Sequence, residues 1–156
     1  LPIYNLPMTL ITAISVSLVP LLASAVESRS REKAVSFIQS NYCNPIKVTD
    51  VAEYVCINRS YLYTLFDNYI GMSPQKFLAT FRLTKAKELL ESTDYSIESI
   101  AFSCGYNDAL VFAKAFQAMM GQSPSAYRKQ SHKETNPTQL AEVEKLISQL
   151  IGEASI

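Results

Sequence analysis

The 156-residue chain is poor in the residues that build reactive centres. It has one histidine, three cysteines and four glycines. The histidine, His132, stands in a polar stretch, and no His/Cys/carboxylate cluster has metal-ligand spacing. A Gly-rich phosphate loop and a nucleophile elbow are both missing. Carboxylates fall singly along what read as helix surfaces, where solvation is the ordinary explanation. An enzyme therefore finds almost no support, and no metal or cofactor is expected. Cys43, Cys56 and Cys104 are odd in number, far apart and without a CxxC pair. They read as reduced, mostly buried thiols of a cytoplasmic protein. Seven prolines and four glycines leave no room for a long low-complexity linker. Net charge is zero, so no strong basic field announces a nucleic-acid partner. From Arg31 to Lys129 there are eleven Lys/Arg against nine Asp/Glu, a net of +2. Local patches therefore matter more than the sum.

What is present is a folding unit that occurs twice. Ile97 to Tyr127 reads as a short helix, a tight turn at Gly105, a second helix and a turn at Ser123-Pro124. Asn107 or Asp108 caps the second helix. Val111, Phe112, Ala115, Phe116 and Met119 recur along it at helical spacing. This is the outline of a helix-turn-helix, which lays its second helix into a DNA major groove. Val48 to Phe77 repeats it. Val48, Val51, Ala52 and Asn58 match Ile97, Ile100, Ala101 and Asn107 at an offset of 49. Leu62, Phe66, Gly71, Ser73-Pro74 and Phe77 match Phe112, Phe116, Gly121, Ser123-Pro124 and Tyr127 at an offset of 50. One extra residue near Asp108 accounts for the change. Two copies in one register are a far stronger signal than one.

In chain order, residues 1–26 carry no charge and approach the length that crosses a bilayer, with Pro7 and Pro20 as interruptions. They lack a basic start, which argues against a signal peptide. Composition changes at Glu27. A helix is predicted from about Arg31 to Tyr42, with Ala34, Val35, Phe37 and Ile38 as its apolar face, and Asn44-Pro45 ends it. Thr49-Asp50 opens the first helix of repeat one, and Cys56 holds the place that Gly105 holds later. A helix over about Arg59–Ile70 turns Leu62, Leu65, Phe66 and Tyr69 to the core. Arg59, Ser60, Tyr61, Tyr63, Thr64 and Asp67 are left outside. A long helix capped by Ser73, with Pro74 in its first turn, runs to about Glu91 as a strut between the repeats. Ser96 caps the next helix. A polar tail follows Gln130, and an amphipathic helix is predicted over 137–151. It is an extra packing helix or a small dimer contact, too short for a stable coiled coil.

Leu62-x3-Phe66, Gly71-Met72-Ser73-Pro74, Phe81-Arg82-Leu83, Cys104-Gly105-Tyr106 and Gly121-Gln122-Ser123-Pro124-x2-Tyr127-Arg128 together resemble the AraC/XylS family of transcription regulators. The resemblance covers about Arg31 to Gln130. It implies an all-α fold of seven helices: two helix-turn-helix subdomains (48–71 and 97–121) within an AraC-type domain (27–130), joined by a long linker helix. It implies recognition helices in successive major grooves on one face of promoter DNA. The DNA-facing residues would be Arg59, Ser60, Tyr63 and Thr64 in repeat one. In repeat two they would be Asn107, Ala109, Leu110, Ala113 and Lys114.

Here the chain departs from the family, which often has Ser-Tyr-Phe at Leu110-Val111-Phe112 and arginine at Lys114. The first helix is therefore expected to carry most sequence reading. In the second, Ala109 or Leu110 meets a thymine methyl and Lys114 a phosphate or guanine, while the helix clamps the backbone or follows DNA shape. Asn58, Asn107 and Asp108 are caps first, although a helix start also offers N–H groups to phosphate. Arg82 is a structural pairing residue or a phosphate contact. Arg128 and Lys129 are solvated charges or phosphate contacts beyond the last short helix. Double-stranded promoter DNA is the expected partner, with RNA polymerase and a second copy of the chain as further candidates. Tyr4-Asn5-Leu6-Pro7 and the apolar run after it resemble one membrane helix of MATE-like polysaccharide and lipid flippases. Residues 1–26 then stand as a membrane anchor, the tail of another domain or a misjoined frame. The alternative to a DNA reader is a membrane-associated fragment whose helical domain does not read DNA.

Overall fold

The structure, a computed structural model, describes residues 8–134, with side chains placed over 19–132. Seven helices follow one another among the described residues, without a strand: α1 (Met8–Asn41), α2 (Val48–Val55), α3 (Arg59–Ile70), α4 (Pro74–Ser92), α5 (Ile97–Ser103), α6 (Ala109–Met120) and α7 (Pro124–Glu134). The chain divides into two units between Phe81 and Arg82, inside the unbroken helix α4. This is the all-α, two-subdomain arrangement with a linking helix that the repeat implies.

The first unit packs α2 and α3 on α1. Helix α1 begins at Met8, not near Arg31, and runs through Pro20 and across the polarity change at Glu27. That boundary changes charge, not helix propensity: Leu, Ala, Glu, Arg and Lys are all good helix formers. Residues 19–26 stand exposed. Among the described residues no helix is long and apolar enough to cross a membrane. Ala34 and Ile38 are the fully buried positions of α1, one turn apart. They meet Val51, Ala52, Val55, Leu62 and Phe66 in a single core, completed by Leu78 from the start of α4. Helix α2 starts a residue before Thr49, because the Lys47 backbone N–H donates to Asp50 Oδ2 at 2.7 Å and satisfies an end group. Asn58 caps α3, its Oδ1 accepting from the Tyr61 N–H at 2.7 Å.

Tyr69 is a correction. Its spacing from Phe66 suits the core, yet it is 49% exposed. Its hydroxyl donates to Glu27 Oε2 at 2.6 Å, and the Arg31 guanidinium lies 4.6 Å from its ring centroid. Tyr61 also reaches Glu27, at 3.5 Å. These contacts fasten α1 to the flank of α3. The hydrogen bond to Glu27 is the main cause that raises the Tyr69 phenol above its ordinary value, with Glu27's charge adding and Arg31 opposing. Partial burial, then Glu27, raises Tyr61.

The second unit repeats the pattern. Ser96 caps α5, its Oγ accepting from the Ser99 N–H at 3.0 Å. Asp108, not Asn107, caps α6: its Oδ1 accepts from the N–H groups of Leu110 (2.6 Å) and Val111 (3.2 Å). The structural partner of Asn58 is thus Asp108, and Asn107 is the inserted residue that moves the offset from 49 to 50. Phe112 and Phe116 are fully buried with Leu83, Ala86, Leu90, Ile100, Ala101 and Cys104. Phe77 and Tyr127 sit at the edges of their cores, partly buried. Val111 (56% exposed) and Met119 (41%) face out despite their apolar spacing. Consecutive helical residues point about 100° apart, so Phe112 excludes Val111 from the core. Helix α7 takes in residues 131–134, read above as a polar tail, and so contains Arg128, Lys129 and His132. The helix predicted over 137–151 lies outside the described residues. Cys104 is buried, but Cys43 and Cys56 are exposed, against the expectation of mostly buried thiols.

The two turns between first and second helices are the same object. In the first, Cys56 N–H donates to Glu53 O and Ile57 N–H to Ala52 O, both at 3.0 Å. In the second, Gly105 N–H donates to Phe102 O and Tyr106 N–H to Ala101 O, both at 3.0 Å. Gly105 has φ 83° and Cys56 φ 59°. The left-handed region is free for glycine but strains a residue with a Cβ by about 1–2 kcal/mol. Glycine's greater unfolded-state entropy offsets about 0.5–1 kcal/mol of that. Cys56→Gly is therefore expected to stabilise the chain by about 0.5–1 kcal/mol, read as a higher urea midpoint; a lower midpoint would contradict the strain.

The raised Tyr69 and Tyr61 pKa values give the latch a pH sign. Its contribution is complete while both phenols are neutral, and is lost as pH rises through their folded values, above the ordinary 10.0. Glu27→Gln is expected to bring the Tyr69 titration, followed by ring NMR shifts, back down towards that value. An unmoved titration would show that Glu27 does not hold the ring.

Candidate nucleic-acid interface

Helix α3 presents a polar face made by helical spacing alone. Arg59, Ser60 and Thr64 are exposed, and Tyr63 is half-buried among them. The four lie at i, i+1, i+4 and i+5, on one side of the cylinder. Leu62, Leu65 and Phe66, buried on the other side, fix its rotation. The Arg59 guanidinium carbon stands 5.5 Å from the Tyr63 ring centroid, and its Nη2 donates to the Tyr63 hydroxyl at 3.5 Å. Thr64 Oγ1 donates back to Ser60 O at 3.2 Å. Its lone pairs remain to accept from a base amino group. Arg59 supplies the one fork on this helix able to hold a guanine edge or a phosphate.

One residue was not legible as part of this face. Gln75, in the first turn of α4, accepts the hydroxyl proton of Tyr63 through Oε1. Gln75 thereby orients Tyr63, which in turn lies against Arg59. Its position after Ser73-Pro74 puts it in a helix start, but no local pattern signals a contact across twelve residues. Tyr63, Thr64, Asp67 and Ser73 line a cavity of about 280 Å³ beside the helix. Asp67 is exposed, and its carboxylate keeps that end of the face unfavourable to phosphate.

Helix α6 is differently furnished. The structural offset of 50 places Ala109, Leu110, Ala113 and Lys114 where α3 has Arg59, Ser60, Tyr63 and Thr64. Leu110 is 63% exposed, Lys114 is exposed, and Ala109 and Ala113 are half-buried. Asn107 is exposed just before the cap. Three of the four equivalent positions therefore lack a hydrogen-bonding side chain.

Two arginines take structural places. Arg128 Nη2 donates to Tyr95 O at 2.6 Å, tying α7 to the turn before α5. Arg82 is half-buried, its guanidinium carbon 5.9 Å from the Tyr106 ring centroid. Burial raises the Tyr106 phenol, Arg82 opposes the shift, and Cys104 adds to it. Arg128 thus makes an internal hydrogen bond that neither of its two readings, solvated charge or phosphate contact, included, and Arg82 has a contact with the Tyr106 ring.

The helix-turn-helix domain family matches residues 51–130, from α2 to α7. The chain is 42% identical over 113 residues to the raffinose operon transcriptional regulatory protein RafR of Pediococcus pentosaceus, covering 70% of this chain and 41% of that protein. It is 42% identical over 97 residues to the lactose operon transcription activator of Staphylococcus xylosus, covering 62% of this chain and 35% of that protein. The chain thus spans less than half the length of these relatives. Among solved structures, an AraC-type transcriptional regulator from Chromobacterium violaceum is similar with a TM-score of 0.63 and 31% identity, over 69% of this chain and 96% of that one. The DNA-binding domain of AdpA, solved in complex with a target DNA, is similar with a TM-score of 0.64 and 26% identity, over 66% of this chain and 93% of that one. Twice-repeated turn, linking helix and matched residues all belong to one family: the chain is a member of the AraC/XylS family of transcription regulators.

Proposed function

We propose that this chain binds double-stranded promoter DNA in a sequence-specific way and serves a transcription regulator, α3 and α6 entering successive major grooves. The observation that carries this reading is the duplicated turn. Each copy holds its second helix by the same two backbone hydrogen bonds and leaves the same face outward. The similarity to a domain solved on its target DNA supports it. Helix α3 does most of the base reading, through Arg59, Ser60, Tyr63 and Thr64. Lys114 on α6 meets a phosphate or a guanine. Relatives are named for raffinose, lactose and melibiose operons, which supports an operon of oligosaccharide use as the target. As an activator it would work in the cytoplasm beside RNA polymerase, with a second copy of the chain as a further partner.

Selection of the full chain against a random-sequence duplex library at near-physiological salt tests this. Enrichment of a bipartite site with halves about one helical turn apart is expected. No enrichment by a chain shown to be folded and helical would overturn it. Tyr63→Ala is expected to weaken binding to the selected site about tenfold more than binding to random DNA. Equal losses would remove Tyr63 from base reading. Lys114→Ala is expected to lower the salt slope of binding by about one. An unchanged slope would remove Lys114 from the phosphate contacts.

A further inference from the structure

Helix α6 offers the DNA a surface of unusual chemistry, and its composition limits what it can recognise. Its four positions equivalent to the α3 face are Ala109, Leu110, Ala113 and Lys114. The Asp108 cap fixes that correspondence, since it begins α6 one residue later than Asn107 would. Leu110 stands in the first turn with most of its side chain in water. Ala109 and Ala113 beside it are small and half-buried, so they let the helix approach closely without adding a donor or acceptor. Neither side chain can exchange a hydrogen bond with a base edge. Among the features that base pairs display in the major groove, one is apolar: the C5-methyl group of thymine.

We propose that α6 reads C5-methyl groups, with Leu110 as the specificity-determining residue and Ala109 and Ala113 permitting the close approach. Recognition by α6 is then an exclusion of water from methyls. Cytosine is rejected because it lacks the methyl, and 5-methylcytosine is partly accepted because it restores it. The two helices would divide the work by chemistry: hydrogen bonding on α3, methyl contact on α6. The inference rests on the proposal that the chain reads DNA, and the experiment separates the two.

The selected duplex is remade with deoxyuridine in place of thymidine, one position at a time, which deletes only the methyl. The half-site whose definition is lost in Tyr63→Ala belongs to α3, and the other half to α6. Within the α6 half, deoxyuridine is expected to weaken binding about fourfold at each contacted position. Replacing one such T·A pair by C·G should weaken binding further, and methylating that cytosine should recover about fourfold. Leu110→Ala, at an exposed position and checked for helicity, should abolish the sensitivity at one or more of these positions. Deoxyuridine without effect anywhere in the α6 half would overturn the inference while leaving the DNA-binding reading intact. So would full sensitivity surviving in Leu110→Ala. If Leu110→Ala instead changes the oligomeric state while deoxyuridine is silent, the face is a contact between chains and the inference falls. Failure to select any bipartite site would overturn both.

Discussion

The pair of backbone hydrogen bonds that closes each inter-helix turn is the constraint on which the rest of the structure depends. They lock the residue at Cys56 or Gly105 in the left-handed region and point the next helix away from the first. Only then does Leu62-x3-Phe66 or Phe112-x3-Phe116 meet the small residue, Ala52 or Ala101, of the preceding helix. The turn sets the direction, and the buried pair sets the rotation. Rotation decides which side chains face outward, and so what the helix can recognise. Replacing a buried phenylalanine here by alanine would cost about 3–5 kcal/mol, a large share of a small domain's stability.

One scaffold then carries two unlike surfaces. On α3 the outward positions hold Arg59, Ser60, Tyr63 and Thr64, tied together by short-range contacts and to α4 through Gln75. On α6 the equivalent positions hold two alanines, a leucine and a lysine. Packing explains the difference only at the edges, where Tyr63 and Ala109 touch their cores, because Ser60, Thr64, Leu110 and Lys114 are exposed. A difference at equivalent outward positions on equivalent cores points to what the faces meet. The flank of α3 carries a second distinction: Tyr61 and Tyr69 both reach Glu27 of α1, so the attitude of α3 is coupled to that helix.

Features written in short range were legible. Asn58, Ser96 and Ser73 act as caps because the backbone N–H groups that they satisfy lie within three residues. The repeat was legible because cores recur with sequence spacing, and the buried phenylalanines fall where the spacing puts them. Features that depend on distant partners were not. Tyr69 has core spacing, and only the arrival of Glu27, 42 residues away, explains why its ring stays at the surface. Arg128 reads as a solvated charge or a phosphate contact until its contact with Tyr95, 33 residues back, is seen. Asn107 and Asp108 cap equally well on paper, and only geometry chose between them. The early start of α1 was hidden because an uncharged run and a charged one can share a helix. The exposure of Cys56 was hidden because a thiol in a strained turn looks, in sequence, like a buried one.

The most direct test of two-headed reading is missing-nucleoside interference on the selected duplex, with hydroxyl radicals removing one nucleoside at a time, so that contacts to every base are read. Two clusters of interference about one helical turn apart, on one face of the DNA, are the predicted result. The α3 cluster should disappear in Arg59→Ala while the other persists. A single cluster, unchanged in width when Leu110 and Lys114 are substituted, would contradict the account and leave α6 without a place in the groove.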